Sequence, residues 1–281
     1  MVSARRSRGK PAPSGAAARD LTTPVLAALP VHGARYAGAL GASDLTAHEH
    51  RVFSQNGEDG VIAEILSRIG TSTRWFVEFG IGTGHQGNCV LLADGYGWSG
   101  LFVESDPDSY RKLARKYAHV PRVVTASARI TPDNVEAVFA DNGVPAEPDV
   151  VSIDIDGMDY WVWKAIERFR PRLVVIEYNS SLDPDRALAW PPDAGPWDGT
   201  SFYGSSLGAL NRVAAAKGYR LVHTDMCGVN AFYVRGDLAD AVGVEQPPVR
   251  TLNIGLVGDV HAPDPLGRSW LDLDEASPPS L

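Results

Sequence analysis

Apolar residues follow two alternating rhythms along this chain. Continuous runs of β-branched and aromatic residues at 75–80, 100–104, 122–126, 149–155 and 172–178 read as strands buried on both faces. Between and after them, stretches near 87–94, 107–117, 132–141, 159–169 and 205–217 have the apolar spacing of helices. An earlier helical pattern, Val61-Ile62-Ala63-Glu64-Ile65-Leu66, follows the polar segment Ser54–Gly60. Strands separated by helices require crossover connections and hence a mainly parallel sheet. The last two runs, 219–224 and 230–235, are joined by a short Gly-containing turn and predict an antiparallel hairpin at the sheet edge. The expected fold is α/β, a seven-stranded and mostly parallel sheet with that hairpin at its edge and helices on both faces.

The rhythm is absent at both ends and broken once inside. Residues 1–20, rich in Ala, Pro and Ser, are expected to be a disordered tail, and 21–50 a helical appendage. The main domain is expected over 51–260, and a Pro- and Asp-rich flexible tail over 261–281. The interruption is 181–204, where four prolines (184, 191, 192, 196) accompany Trp190, Trp197, Phe202 and Tyr203. A long aromatic loop after a central strand is expected to cover a site as a lid.

Composition narrows the options. With 281 residues, 44% hydrophobic and 21% charged, the chain fits a globular protein with a full core. A net charge of −8 with no basic stripe argues against nucleic acid as partner. No run approaches the roughly 20 apolar residues that cross a bilayer, and no apolar segment follows the basic residues near the start. A cytoplasmic protein without a membrane partner is the expectation, with homo-oligomerisation left open. Cys89 and Cys227 form no Cys-x-x-Cys pair, so neither a disulfide framework nor a thiolate zinc site is expected.

The chemistry lies at the strand ends, where open parallel sheets bind ligands. The first strand gives Glu78 and the turn Gly80-x-Gly82-x-Gly84, whose glycines keep side chains away from a ligand. The second ends in Glu104-Ser105-Asp106, placing a carboxylate where it accepts from ribose hydroxyls. The third gives Ala126-Ser127, the fourth Asp154-Ile155-Asp156-Gly157-Met158-Asp159, and the fifth Glu177-Tyr178-Asn179. A lone strand-end acid is commonly a helix cap, but acids on four rims exceed what capping explains. Gly82-x-Gly84-x-x-Gly87 also satisfies a dinucleotide fingerprint, and Tyr160-x-x-x-Lys164 matches the catalytic pair of short-chain dehydrogenases. Trp161, Val162 and Trp163 around that pair indicate a packed helix, and an acidic rim suits a pyrophosphate poorly. S-adenosylmethionine, with its sulfonium and ammonium, suits carboxylates.

In their order, SQNGEDG, VEFGIGTG, LFVES, DIDGMDYWVW and VIEYN resemble the class I S-adenosylmethionine-dependent methyltransferases, and specifically the FkbM-type branch, over about residues 51–235. The resemblance implies a Rossmann-like sheet. It also implies that Gly80, Gly82 and Gly84 face the methionine part of the cofactor, Glu104 the ribose, and Ser127 or its neighbours the adenine. Gln55 and Asn56 would close over the cofactor's polar end, and Glu78, Ser105 and Asp154 complete the cofactor set. Asp154-x-Asp156 further resembles the metal-assisted O-methyltransferases acting on sugars and catechols, in which the fourth and fifth strand ends hold a metal. Asp154, Glu177 and Asn179 would be the oxygen ligands of Mg²⁺ or Mn²⁺. Asp156 is then the candidate general base, with His85 second. The alternative at these positions is a turn at Asp156-Gly157, a helix cap at Asp159, and substrate hydroxyls bound by Glu177 and Asn179. The expected activity is methyl transfer to an oxygen of a small molecule such as a sugar or secondary metabolite. A nicotinamide-dependent dehydrogenase and a non-catalytic cofactor-binding protein are the competing readings.

Overall fold

A computed structural model describes residues 29–30, 45–251 and 261–275. Seven strands form the central sheet: β1 (Trp75–Phe79), β2 (Ser99–Glu104), β3 (Val123–Ser127), β4 (Val150–Ile153), β5 (Leu173–Glu177), β6 (Tyr219–Thr224) and β7 (Asn230–Arg235). Their order is β3-β2-β1-β4-β5-β7-β6. β1 to β5 run parallel, and β7 lies antiparallel between β5 and the edge strand β6. The chain therefore starts in the middle, winds outward one way to β3, and returns to wind the other way from β4. That reversal between β1 and β4 is where such sheets open a crevice at the strands' carboxyl ends.

Six helices cover the two faces: α1 (Glu58–Ile69), α2 (Pro107–Tyr117), α3 (Val135–Asp141), α4 (Asp159–Ala165), α5 (Leu207–Lys217) and α6 (Gly236–Val242). Alternation along β1 divides the core. Phe76 joins Leu66, Leu113, Val175 and Val242 under α1, α2 and α6, whereas Val77 and Phe79 join Phe139, Trp161, Trp163 and Leu210 under α3, α4 and α5. Burying each such side chain contributes roughly 1.5–3 kcal/mol, which makes these two clusters the main source of stability. Helix starts follow local chemistry. Asp106 accepts from Ser109 N (2.8 Å) with Pro107 opening α2, and Ser206 accepts from Ala209 N (3.1 Å) at α5.

The sheet, its edge hairpin and the helices on both faces match the sequence expectation. Some boundaries differ. α4 stops at Ala165 instead of near 169, and the helical part of the 87–94 stretch starts only at Val90, as one wide π-type turn over Leu91–Gly95. Residues 1–20 lie outside the described residues, as does most of 21–50. The described part of 21–50 holds one 3₁₀ turn, Leu45–His48, and a short strand pair, Leu29–Pro30 with His50–Arg51, in place of a helix. The tail expected to be flexible instead folds back over 261–275. Leu271–Asp272 pairs with Leu188–Ala189, and Arg268 binds Asp198 (2.7 Å) and Asp264 (2.9 Å). No helix among the described residues is long and apolar enough to cross a membrane.

At the opposite end of the sheet from the crevice, buried Asp149 ties three segments together. It accepts from Ser72 N (2.8 Å) and Arg74 N (2.5 Å) and pairs with Arg172 Nε (3.2 Å). Asp149→Ala should therefore lower the unfolding free energy by about 3 kcal/mol in urea titrations, because it strands a buried cation and two N–H groups. Asp149→Asn should recover part of that loss.

Candidate functional site

Two connected lobes open at the strand reversal. One, about 340 Å³, is lined by Glu104, Ser105, Ala128, Asp156, Trp190 and Trp197 among others. The other, about 360 Å³, is lined by Gln55, Glu58, Gly82, His85, Asn88 and Asn230 among others. Phe79, Gly80 and Asp154 line both, so the lobes meet there.

The glycine turn shapes the junction. Gly80, Gly82 and Gly84 all have left-handed φ, at 68°, 62° and 76°. A Cβ at Gly80 would lie 1.8 Å from the Asp154 carbonyl oxygen, so only glycine lets β1 and β4 approach this closely. A Cβ at Gly82 would meet nothing within 4 Å, which leaves its exposed backbone facing open space. Glu104 fixes this turn from the neighbouring strand. One carboxylate oxygen accepts from Gly82 N (2.6 Å) and the other from Asp106 N (2.7 Å). Lys116 donates to the Gly84 carbonyl and pairs with Asp94 (2.8 Å), holding the far side of the turn.

The expected cofactor residues are brought together unevenly. Gln55, Glu78, Gly80, Gly82, Glu104, Ser105 and Asp154 all line the lobes. Glu78 is almost fully buried and accepts from Asn88 N (2.7 Å) and Cys89 N (2.9 Å). Burial pushes its carboxyl up to about 8 despite those two donors. Gly84 packs against Leu113 outside the lobes. Two of the expected side chains do not line the lobes, although the neighbours of one of them do. The exposed side chain of Ser127 lies outside both lobes, where Ala128, Arg129 and Ile130 form the wall. Asn56 lies outside them too, because its N–H and amide donate to Glu58 (2.7 and 3.3 Å). Glu58 itself lines the lobe and receives a bond from Asn230 Nδ2 (2.9 Å). Its neighbour Asp59 accepts from Val52, Phe53 and Ser54 N–H groups at 2.7–2.8 Å, so the acids after SQNG reach back as a cap.

The carboxylates of Asp154, Asp156 and Glu177 converge, with one oxygen from each lying within 4.8 Å of the others. Burial, then mutual repulsion, raises Asp154 and Glu177 well above the ordinary carboxylate range. Burial also raises Asp156, opposed by the nearby His261. One buried oxygen of Glu177, Oε2, has no hydrogen-bond partner among the described residues. Three converging carboxylates with an orphaned buried oxygen fit a hard divalent cation such as Mg²⁺ or Mn²⁺. Asn179, expected as the third ligand, has its amide engaged with the loop that follows. Its amide donates to Ser201 O (3.2 Å) and Tyr203 O (2.9 Å) and accepts from Ser181 N (3.1 Å), committing it to holding the aromatic loop. Asp156, expected as a base, supplies the third carboxylate of the cluster. Its φ of 57° is unusual for a residue with a Cβ. Asp159, the first residue of α4, pins that turn by accepting from Ile155 N and Gly157 N (both 2.9 Å), so it holds the preceding loop and does not cap the helix, whose N-cap position is Met158.

The 181–204 loop reaches the site. A Cβ at Gly157 would strike the Trp190 ring, and Trp161 Nε1 donates to Trp190 O (2.7 Å). Trp197 lies edge-on to His261 with ring centres 4.8 Å apart, and Tyr203 is 5.1 Å from the same ring. Sequence patterns missed Asn230 and His261, because each reaches the site from a separate part of the chain. Only Glu58 carried a signal, in its position after SQNG. His85 is exposed at the rim of the second lobe. The Tyr160–Lys164 pair opens on a different cavity, which shares no lining residue with these lobes.

No protein-family model matches this chain, and no curated protein matches its sequence. Solved structures do resemble it in fold. An S-adenosylmethionine-dependent methyltransferase from Clostridium acetobutylicum is 8% identical with a TM-score of 0.42, over 65% of this chain and 92% of that one. The Methanococcus jannaschii fibrillarin pre-rRNA processing protein is 12% identical (TM-score 0.41; 66% and 78% covered). Aeropyrum pernix fibrillarin, solved with natively bound S-adenosyl-L-methionine, is 12% identical (TM-score 0.40; 62% and 73% covered).

The raised carboxyls set a pH signature. A carboxyl with a higher pKa folded than unfolded stabilises the fold below its unfolded value, and the contribution is lost as pH rises to the folded one. For Glu78 that window runs from 4.5 to about 8. Tm should fall as pH rises through it, and Glu78→Gln should flatten the slope in differential scanning calorimetry. An unchanged slope would show that Glu78 ionises normally.

Proposed function

We propose that this protein is an S-adenosylmethionine-dependent methyltransferase acting on an oxygen of a small molecule. The observation that carries the reading is the left-handed glycine turn at the end of β1, held by Glu104 at the end of β2 and adjoining the carboxylates of β4 and β5. A bare backbone turn beside an acid suits an adenosine cofactor, and the neighbouring carboxylates favour a sulfonium and an ammonium over a pyrophosphate. The two lobes meeting at Gly80 and Asp154 offer one space for a nucleoside and another for an amino-acid tail. Ala128, Arg129 and Ile130 would flank the base, while Glu58, Asn230 and Gln55 would meet the polar end.

S-adenosylmethionine supplies an activated methyl group when bound, so the protein's work is positioning and exclusion of water. Asp154 and Glu177, with Asp156 beside them, would hold a divalent cation, which would lower the pKa of an acceptor hydroxyl. Asp156, the most exposed of the three, is placed to take the hydroxyl proton. Trp190 and Trp197 form part of the wall of the lobe that holds Asp156. The dehydrogenase reading loses its support because Tyr160 and Lys164 face away from the glycine turn.

Calorimetry should detect S-adenosylhomocysteine, with NAD and NADP silent. Glu104→Ala should weaken that binding by about 1–3 kcal/mol. Nicotinamide binding without adenosylhomocysteine binding would overturn the assignment.

The metal assignment has its own test. In an acceptor screen, chelator should abolish turnover and Mg²⁺ or Mn²⁺ restore it. Asp154→Asn and Glu177→Gln should lose the metal response yet keep cofactor binding. Full turnover in excess chelator would remove the metal from the reaction and leave Asp156 as an unassisted base.

A further inference from the structure

A cavity larger than either lobe lies on the far flank of the domain. It measures about 620 Å³ and sits between α4 and α5, near the starts of β5 and β6. Its walls are mainly aromatic and aliphatic, formed by Trp161, Trp163, Phe169, Tyr219, Val213 and Leu273. The polar atoms there are largely committed elsewhere. The Tyr219 hydroxyl donates to Pro171 O (2.6 Å), and Lys217 Nζ donates to Ile166 O (2.6 Å). What remains is apolar surface of the size and character of a small-molecule site.

The charge around it is inverted relative to the molecule. The chain carries a net −8, yet this cavity is lined by Lys164, Arg170, Arg212 and Lys217 against the single acid Glu167. Arg212 is held by Asp274 and by Leu273 O (2.6 Å). Lys164 stands 5.1 Å over the Trp161 ring, and among the described residues neither it nor Arg170 makes a close ion pair, although Asp237 feels the Arg170 charge from a longer range. Two such cations beside an apolar hollow are matched by a ligand with a flat apolar body and one anionic end.

We propose that this cavity is a second ligand site, separate from the glycine-turn crevice, which binds a small aromatic carboxylate. The body would lie among the Trp, Phe and Tyr rings, and the carboxylate would meet Lys164 and Arg170 at the mouth. The Tyr160-x-x-x-Lys164 pattern then belongs to this binding surface and has no part in hydride transfer.

The probe is 2-naphthoate, with 2-naphthamide as an uncharged molecule of the same shape, titrated into the full chain by calorimetry. Saturable 1:1 binding of the carboxylate is expected, with the amide at least about tenfold weaker, the scale of one charge-assisted contact. Arg170→Ala with Lys164→Ala should weaken naphthoate by about tenfold or more. Ala216→Trp, which fills the cavity from an exposed position on α5, should abolish binding while leaving Tm and S-adenosylhomocysteine binding unchanged. Absence of saturable naphthoate binding to the unmodified protein would overturn the proposal. So would affinity unchanged in Ala216→Trp, or amide binding equal to that of the carboxylate. Loss of adenosylhomocysteine binding alone bears only on the crevice.

Discussion

Where the strand order reverses, β1 and β4 come so close that Gly80 nearly touches the Asp154 carbonyl, and the rest of the site is arranged around that contact. A side chain at Gly80 would force the strands apart. With hydrogen there, β1 exits left-handed, Gly80 N–H bonds to Val103 O (3.1 Å), and the turn lies against β2. Glu104 can then take Gly82 N–H as its partner, and Asp154 becomes a wall common to both lobes. Backbone crowding at one point thus opens the crevice and also aligns the acids of β1, β2, β4 and β5 on its rim.

That alignment has an electrostatic cost, because several carboxylates share a poorly hydrated space. The fold manages it in two ways. Acids with structural tasks, Asp59, Glu78, Glu104 and Asp159, each accept from two or more backbone N–H groups. Asp154, Asp156 and Glu177 converge with much less such support, and both Asp154 and Glu177 hold their protons far more tightly than an ordinary carboxylate. Groups left under-satisfied in a cleft mark the place where charge is to be bound or moved.

The cover over this rim is held by packing at both of its ends. Asn179 binds Ser201 and Tyr203, and Gly157 makes room for Trp190 against the turn that carries Asp156. From the other side, Arg268 bonds to Asp198 and Thr200 and stacks over Phe202 with 4.5 Å to the ring centre, while Trp270 donates to Tyr203 O. The aromatic wall beside Asp156 is therefore a joint product of the loop and the C-terminal segment, and His261 arrives with the latter.

The sequence determined the sheet, its edge hairpin and the glycine turn, since each is written in short-range terms: continuous apolar runs, helical spacing between them, and glycines where φ turns positive. It also placed acids on the right strand ends, because a strand's last residue necessarily lies on the rim. It did not determine which of them converge. Glu177 and Asn179 are two apart and share a face in an extended chain, but the strand ends at Glu177, and the bend after it turns the amide into the loop. Asp156, in turn, joins the cluster only because a left-handed turn pinned by Asp159 swings it back. The roles of Asn230, Trp190 and His261 were likewise decided by tertiary structure, through an antiparallel insertion, a glycine gap and a returning tail. Local pattern records what a segment does with its neighbours in sequence, and these contacts are made across it.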